Sequence, residues 1–378
     1  MNRENNGHET LAARWQLFTV VLVIFLLPLC GVWFAGKEVM PYLEFPPLTR
    51  YVEHAGFSWL VFIAMALCVL AVSTPVALRM SFSHARQKSG ECYSFPLWGW
   101  GSVIVCLVSW IMAWTRFEWF NDYQIFTFSP LWFGYIGIVN AFTYARSGTC
   151  MLTQRPKYLA RLFIASAVFW WYFEYLNRFV QNWYYVGVEG LSSAQYVLFA
   201  TLPFSTVLPA VLGTYDLLAT FPRFSAGLKK YKKFDIKHSK SAALSVLMIA
   251  AAGLFSIGIY PDYLYPLLWL SPLIIITSIQ RLAGTQSIFT PLRHGDWQRI
   301  FLLAVSALIC GFFWEMWNYY SYAKWIYTIP FVQKFHIFEM PLLGYAGYLP
   351  FGLECGVIAN LLCKPKSTEG EEHSLQQS

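Results

Sequence analysis

Apolar stretches of bilayer length recur along almost the whole of this chain, and no other feature restricts its fold so severely. A hydrocarbon core of about 30 Å needs roughly 17 to 25 apolar residues per helix. Ten such stretches can be counted, near residues 15–35, 57–78, 96–114, 127–145, 159–177, 195–220, 241–260, 264–282, 300–320 and 338–362. Charged residues make up only 12% of the 378, about half the fraction in an ordinary soluble domain. The expectation is an all-α integral membrane protein of about ten transmembrane helices.

The connecting loops alternate in charge. Basic residues gather in loops 79–95 (Arg79, Arg86, Lys88), 146–161 (Arg146, Arg155, Lys157, Arg161), 221–240 (seven Lys and Arg) and 281–299 (Arg281, Arg293, Arg299). Intervening loops carry Glu118, Asp122, Glu189 or Asp262 instead. Lys and Arg accumulate on the cytoplasmic side of a span, so both termini are expected in the cytoplasm, with the protein in a bacterial inner membrane. Beside a span, the run 221–240 reads as a topology signal touching anionic lipid rather than a nucleic-acid site. The first span follows Arg14, lacks a small-x-small cleavage site, and reads as a retained anchor. The eight cysteines lie in spans or near cytoplasmic ends, so disulfides are not expected.

Two segments repeat one another. Aligning FWWYFEYLNRFVQNWYY with FFWEMWNYYSYAKWIY places Glu174 on Glu315 and Asn177 on Asn318, and one inserted residue then brings Trp183 and Tyr185 onto Trp325 and Tyr327. Upstream, Trp132 meets Trp269 and Gly148-Thr149 meets Gly284-Thr285; downstream, Leu202-Pro203-Phe204 meets Leu349-Pro350-Phe351. The chain divides into a two-helix extension (1–95), a first four-helix repeat (96–220), a basic cytoplasmic loop (221–240), a second four-helix repeat (241–363) and a tail (364–378). Four is even, so this 2+4+4 arrangement is a parallel internal duplication, with its axis along the membrane normal.

The repeated box carries the candidate chemistry. Residues three and four apart share a helix face, which groups Glu174, Asn177 and Arg178, and likewise Glu315, Asn318 and Tyr319. Arg178 can neutralise Glu174, giving a polar clamp, whereas no basic residue sits within one turn of Glu315 and Lys324 is its nearest candidate. An unpartnered carboxyl in a low-dielectric setting favours its acid form, so Glu315 reads as a proton donor. Glu354, in the middle of the last span, reads as a second proton-active group, with Val207 at the aligned position of the first repeat. Asn177 and Asn318 would orient a substrate. Trp171, Trp314, Trp317 and Tyr320 could present ring faces to it, although aromatic residues also gather at membrane interfaces as belts. Asp216, two turns before Arg223, reads as reaching the cytoplasmic interface.

Other chemistries find no support. The seven histidines fall in expected loops or tails with no pair at helical ligand spacing, and neither a CxxC nor a Gly-rich phosphate loop occurs. No metal site and no cofactor is suggested.

Residues 317–345, WNYYSYAKWIYTIPFVQKFHIFEMPLLGY, resemble the small integral-membrane lycopene cyclases of bacteria, archaea and fungi. In that family an aromatic-acid-x-Tyr box precedes a Trp-x-Tyr-x-x-Pro-like segment and a Pro-x-Glu-Glu motif. Here Trp317, Asn318, Tyr320, Trp325, Tyr327 and Pro330 follow the order. Asn318 stands where that family has an acid, and Leu342-Leu343 follow Pro341 where it has an acidic pair; Glu339 precedes the Pro. The resemblance implies a long apolar substrate, and an acid-catalysed cyclisation would then have to use Glu315, Glu339 or Glu354.

Three functions remain in view: an enzyme acting on a lipid or isoprenoid by acid–base chemistry at outer-side carboxylates, a proton-coupled transporter or channel for a small or amphipathic solute, and a non-catalytic lipid-binding subunit. Membrane lipids and a long apolar or amphipathic substrate are the expected partners. The polar groups cluster at one depth rather than along a continuous path, which favours the enzyme.

Overall fold

The computed structural model describes residues 2–47, 49–83, 93–235 and 239–363. His84, Arg86, Lys88, Cys92, Lys237, His238 and the tail from Lys364 lie outside the described residues, as do the side chains of Arg14 and Cys363. Fourteen α-helices carry the described fold. They are α1 (Asn2–Phe34), α2 (Met40–Leu43), α3 (Trp59–Ser81), α4 (Leu97–Trp114), α5 (Phe128–Ser147), α6 (Met151–Gln154) and α7 (Pro156–Val180) in the first half. Then come α8 (Ser193–Phe204), α9 (Val207–Ala219), α10 (Ser239–Ser256), α11 (Pro261–Leu264), α12 (Leu267–Leu282), α13 (Gln298–Tyr319) and α14 (Tyr348–Cys363).

A helix falls on each of the ten apolar stretches, but they are not equal. Six are long and apolar enough to cross a membrane: α3, α4, the α8–α9 pair, α10, α13 and the segment Leu342–Leu362 that contains α14. A seventh counts only if α5 is joined to the 3-10 segment Glu118–Phe126 before it, from which it is bent by 65°. Phe18–Phe34 and Leu267–Leu282 are shorter apolar helices, and α7, though 25 residues long, carries Lys157, Arg161, Glu174 and Arg178. Expected boundaries also shift. Helix α1 begins at Asn2, so residue 8 is helical rather than in a tail. The stretch 195–220 breaks after Pro203, where Thr206 Oγ1 donates to the Pro203 carbonyl at 2.6 Å. The last stretch becomes helical only at Tyr348, because Pro341, Gly344 and Gly347 hold its start as a strand and a 3-10 turn.

Two short antiparallel ribbons, which hydropathy does not reveal, cap the helices. In one, β1 (Trp183–Val186) pairs with β2 (Lys324–Tyr327), Trp183 opposite Tyr327 and Tyr185 opposite Trp325. In the other, β3 (His336–Ile337) pairs with β4 (Met340–Pro341).

The segments that carry Glu174 and Glu315 interlock at the centre. Helix α9 packs on α13 as well as on α7, and α14 packs on α7 as well as on α13. The ring contacts are reciprocal: Trp132 lies 4.9 Å from Trp314, and Trp269 lies 4.8 Å from Phe173, the residue aligned with Trp314. Gly148 just after α5 and Gly284 two residues after α12 both sit in the left-handed region, with φ of 74° and 75°, which glycine adopts without a Cβ penalty.

Candidate functional site

Each acid box is built where a long helix gives way to a ribbon strand. Helix α7 stops at Gln181, whose left-handed φ of 51° costs a residue with a Cβ about 1 kcal/mol or more. Its neighbours hold it there. Arg50 N–H donates to Gln181 Oε1 at 3.3 Å, Thr328 Oγ1 donates to the Gln181 carbonyl at 3.0 Å, and His54 Nε2 lies 3.1 Å from that carbonyl. The chain therefore reverses at once, and Asn177 satisfies the freed backbone. Its Oδ1 accepts from the N–H groups of Asn182 and Trp183 at 2.8 and 3.4 Å, and its Nδ2 donates to the Trp183 carbonyl at 2.7 Å. Asn318 clamps Trp325 in the same way, accepting at 2.9 Å and donating at 2.8 Å. Both asparagines thus hold a strand in place.

The clamped strands aim their side chains back at the carboxyl groups. Glu174 Oε1 accepts from Trp170 Nε1 at 3.0 Å, Trp183 Nε1 at 3.1 Å and Tyr185 hydroxyl at 2.6 Å. Glu315 Oε1 accepts from the hydroxyls of Tyr327 at 2.9 Å and Tyr348 at 2.6 Å. In both boxes Oε2 is buried without a partner, so each carboxyl has one fully occupied oxygen and one vacant oxygen. Burial, with the adjoining carboxyl adding to it, pushes the Tyr185 and Tyr327 hydroxyls well above the ordinary tyrosine range, which keeps both as donors. The boxes differ at one helical turn before the acid. Trp170 fills that position in the first, whereas Gly311 leaves it open in the second and the Tyr348 ring occupies the space. Trp325 Nε1, aligned with Trp183 Nε1, has no partner.

Several expected contacts are absent. Arg178 makes no ion pair with Glu174; its Nη1 donates to the Pro41 carbonyl at 3.1 Å, which the segment after α1 brings within reach. Lys324 turns away from Glu315 to pair with Glu339 at 2.5 Å, which also commits Glu339. Tyr320 is 55% exposed and packs on Trp114, outside the box. Trp171 is tied to Thr201 Oγ1 at 3.0 Å, and Trp317 is buried among Trp110, Trp132 and Phe313. Asp216 pairs with Arg155 at 2.7 Å, as suits a residue near a basic loop.

An apolar cavity of about 820 Å³ joins the two boxes. Trp170, Trp183 and Tyr185, the three donors to Glu174, line it, and so do Tyr327 and Tyr348, the donors to Glu315. Among the expected substrate-contacting residues only Trp314 is in the wall; Glu174 and Glu315 stand directly behind it. Among the described residues, Lys324 is the single charged one in the lining. Glu354 is buried elsewhere, between α14 and the Pro272-containing α12, where its Oε1 accepts from the Leu273 N–H at 3.2 Å and its Oε2 has no partner. Among the described residues, no group of three His, Cys, Asp or Glu is placed to hold a metal ion.

Tyr185, Tyr327 and Tyr348 are the residues that sequence reasoning passes over as participants. The first two are visible as an aligned pair eleven and twelve residues beyond their acids, which is too far for one helix face and therefore requires a chain reversal. Tyr348 carries no such signal, since it arrives from a different helix.

The fold and its site define a class: a polytopic, helical membrane protein with paired carboxyl groups behind the wall of one apolar cavity. No family model, curated protein or solved structure matches the chain.

Proposed function

We propose that this protein is a membrane enzyme that performs acid–base chemistry on a long apolar lipid or isoprenoid held in the cavity. One observation carries the reading: the hydrogen-bond donors of both buried carboxyls line the same apolar space. In this scheme Glu315 is the acid. When its carboxyl is protonated the Glu315–Tyr327 contact runs from the acid to the phenol oxygen, and the Tyr327 hydroxyl delivers its own proton into the cavity. Carboxyl and phenol together return to their starting state when Glu315 is reprotonated. Glu174, with three donors on one oxygen, is the better stabilised of the two and balances charge developing in the substrate. The aromatic wall disfavours water and suits an apolar chain.

In this account the chain crosses the bacterial inner membrane ten times, as two plus four plus four spans, with cytoplasmic termini. The repeated segments descend from an internal duplication, a reading supported by the matching asparagine clamps and the reciprocal Trp132–Trp314 and Trp269–Phe173 contacts.

A carrier is the second reading, and Glu354 favours it: a carboxyl with one vacant oxygen, buried where a proline interrupts a helix, is the kind of group a proton-coupled carrier uses. Mass spectrometry of lipids and pigments from matched cells with and without the protein separates the two. A shifted mass in one lipid or isoprenoid class is the expected result. An unchanged set of species, with solute uptake in proteoliposomes that follows an imposed pH gradient, would overturn the enzyme reading.

A further inference from the structure

Among the described helices long enough to cross a membrane, α3 is the least buried. It is 23 residues long, with a mean hydropathy of 2.4, yet none of its residues is buried. Only Phe62 and Met65, near its start, pack against the core. Beyond them, Cys68, Val69, Val72, Ser73 and Val76 line the cavity, with Cys68 and Val72 left exposed because the bundle does not close over them, while Leu60, Leu67, Leu70 and Leu78 are exposed as well.

Its fastenings lie at the ends. At the start, Ser58 N–H donates to the Phe331 carbonyl at 3.0 Å and Phe331 N–H donates to the Ala55 carbonyl at 3.1 Å. Trp59 and Phe62 gather around Phe335, with ring centroids at 5.9 and 5.5 Å. At the far end Arg79 Nε donates to the Gly227 carbonyl at 3.2 Å and Tyr231 hydroxyl to the Pro75 carbonyl at 3.5 Å. Between these points, among the described residues, the polar contact to the rest of the protein is Tyr265 hydroxyl on Met65 Sδ at 3.6 Å. Pro75 removes one rung of the helix ladder near the C-terminal end and supplies a place to bend.

The cavity behind α3 is long. Along α13 it follows Ile300, Ala304 and Leu308 up to Trp314, about 21 Å at 1.5 Å per residue. That is roughly two thirds of a hydrocarbon core. One end, at Trp297 and Phe301, is apolar; the other meets Tyr185, Tyr327 and Lys324 under the β1–β2 ribbon.

We propose that the occupant is a membrane-resident lipid with a long single chain, which enters sideways from the bilayer past α3, with its polar end under the ribbon. A helix whose exposed residues are predominantly apolar has acyl chains as its surroundings, so displacing its middle widens the cavity's opening to lipid rather than to water. A segment with few buried contacts is also the one that opens at least cost in free energy. This proposal rests on the cavity being the substrate site, but it concerns occupancy and can be read without turnover.

The test uses the full chain in phosphatidylethanolamine–phosphatidylglycerol vesicles doped with a single-chain lysophosphatidylglycerol bearing a mid-chain diazirine, with photo-adducts mapped by peptide mass spectrometry. Adducts on inward-facing Leu308 and Leu353, in addition to Leu60 and Leu70, are expected. A Cys68→Ser background carrying Met65→Cys and Tyr265→Cys, joined by a bis-methanethiosulfonate, ties α3 to the bundle. Interior adducts should then fall several-fold and return when the tether is reduced, while the outward adducts stay constant. An Ala304→Phe variant should also lower interior labelling by filling the cavity. Labelling confined to outward positions in the untethered protein would exclude lipid occupancy, and interior labelling indifferent to the tether would exclude the α3 route. Interior labelling without any product in the cell would instead sink the enzyme reading alone.

Discussion

Tyr348 reaches Glu315 only because residue 311 has no side chain: a Cβ built on Gly311 would lie 2.4 Å from the Tyr348 ring, whose hydroxyl is 2.6 Å from Glu315 Oε1. In the first box the same helical position holds Trp170, which donates to Glu174 itself. One acid is served from its own helix and the other from its neighbour's.

Gly311→Ala is therefore expected to abolish product formation by displacing Tyr348. Helix propensity alone would favour Ala by about 1 kcal/mol, so a loss of thermal stability in detergent would identify the ring clash as the dominant effect. An unaltered or raised melting temperature with normal product would show that Tyr348 is not needed at Glu315.

The two tyrosines are not equivalent. Tyr327→Phe leaves Glu315 with Tyr348 as its one hydroxyl donor, whereas Tyr185→Phe leaves Glu174 with two indoles. Leaving a buried acceptor short of a donor costs about 1–3 kcal/mol. Tyr327→Phe should destabilise more than Tyr185→Phe in parallel melts, and should also lower product yield further.

Asn318→Ala removes both bonds that clamp Trp325. A loss of about 1–3 kcal/mol is expected for each buried group orphaned. Asn318→Asp, which keeps the acceptor for the Trp325 N–H, should recover part of that loss. Equal melting temperatures for the two variants would contradict the clamp.

Alkaline titration offers an independent check. Burial raises Tyr185 and Tyr327 above the unperturbed value of 10.0, so the unfolded chain releases these protons at a lower pH than the folded one. Stability should fall as pH rises above about 10. Tyrosinate absorbance from these residues should appear only with unfolding, and the Tyr185→Phe, Tyr327→Phe double variant should show a shallower alkaline decline.

The parts of the fold that depend on hydropathy and local spacing are legible in the amino-acid sequence. Helices stand on all ten apolar stretches, and Glu174 and Glu315 each lie in the last two turns of one of those helices. Contacts that depend on distant chain are not legible there. Arg178 finds the Pro41 carbonyl, 137 positions away, in preference to an acid one turn back. Lys324 finds Glu339. The strands β1 and β2 are hidden because four-residue aromatic runs look like the interfacial ends of helices, and only a left-handed residue at Gln181 turns the first of them back. The role of α3 is hidden for the opposite reason: its hydropathy marks it as a span, but not that it remains unburied.

The central claim is that the two buried acids serve chemistry in one cavity. The most direct measurement is quantitative lipid and isoprenoid mass spectrometry on cells producing wild type or Glu315→Gln at equal membrane levels. Gln keeps the shape and an acceptor oxygen but cannot supply a titratable proton. A product present with wild type and missing with Glu315→Gln, from a variant that melts at a similar temperature, is the predicted result. The same product at the same level from the folded variant would contradict the account.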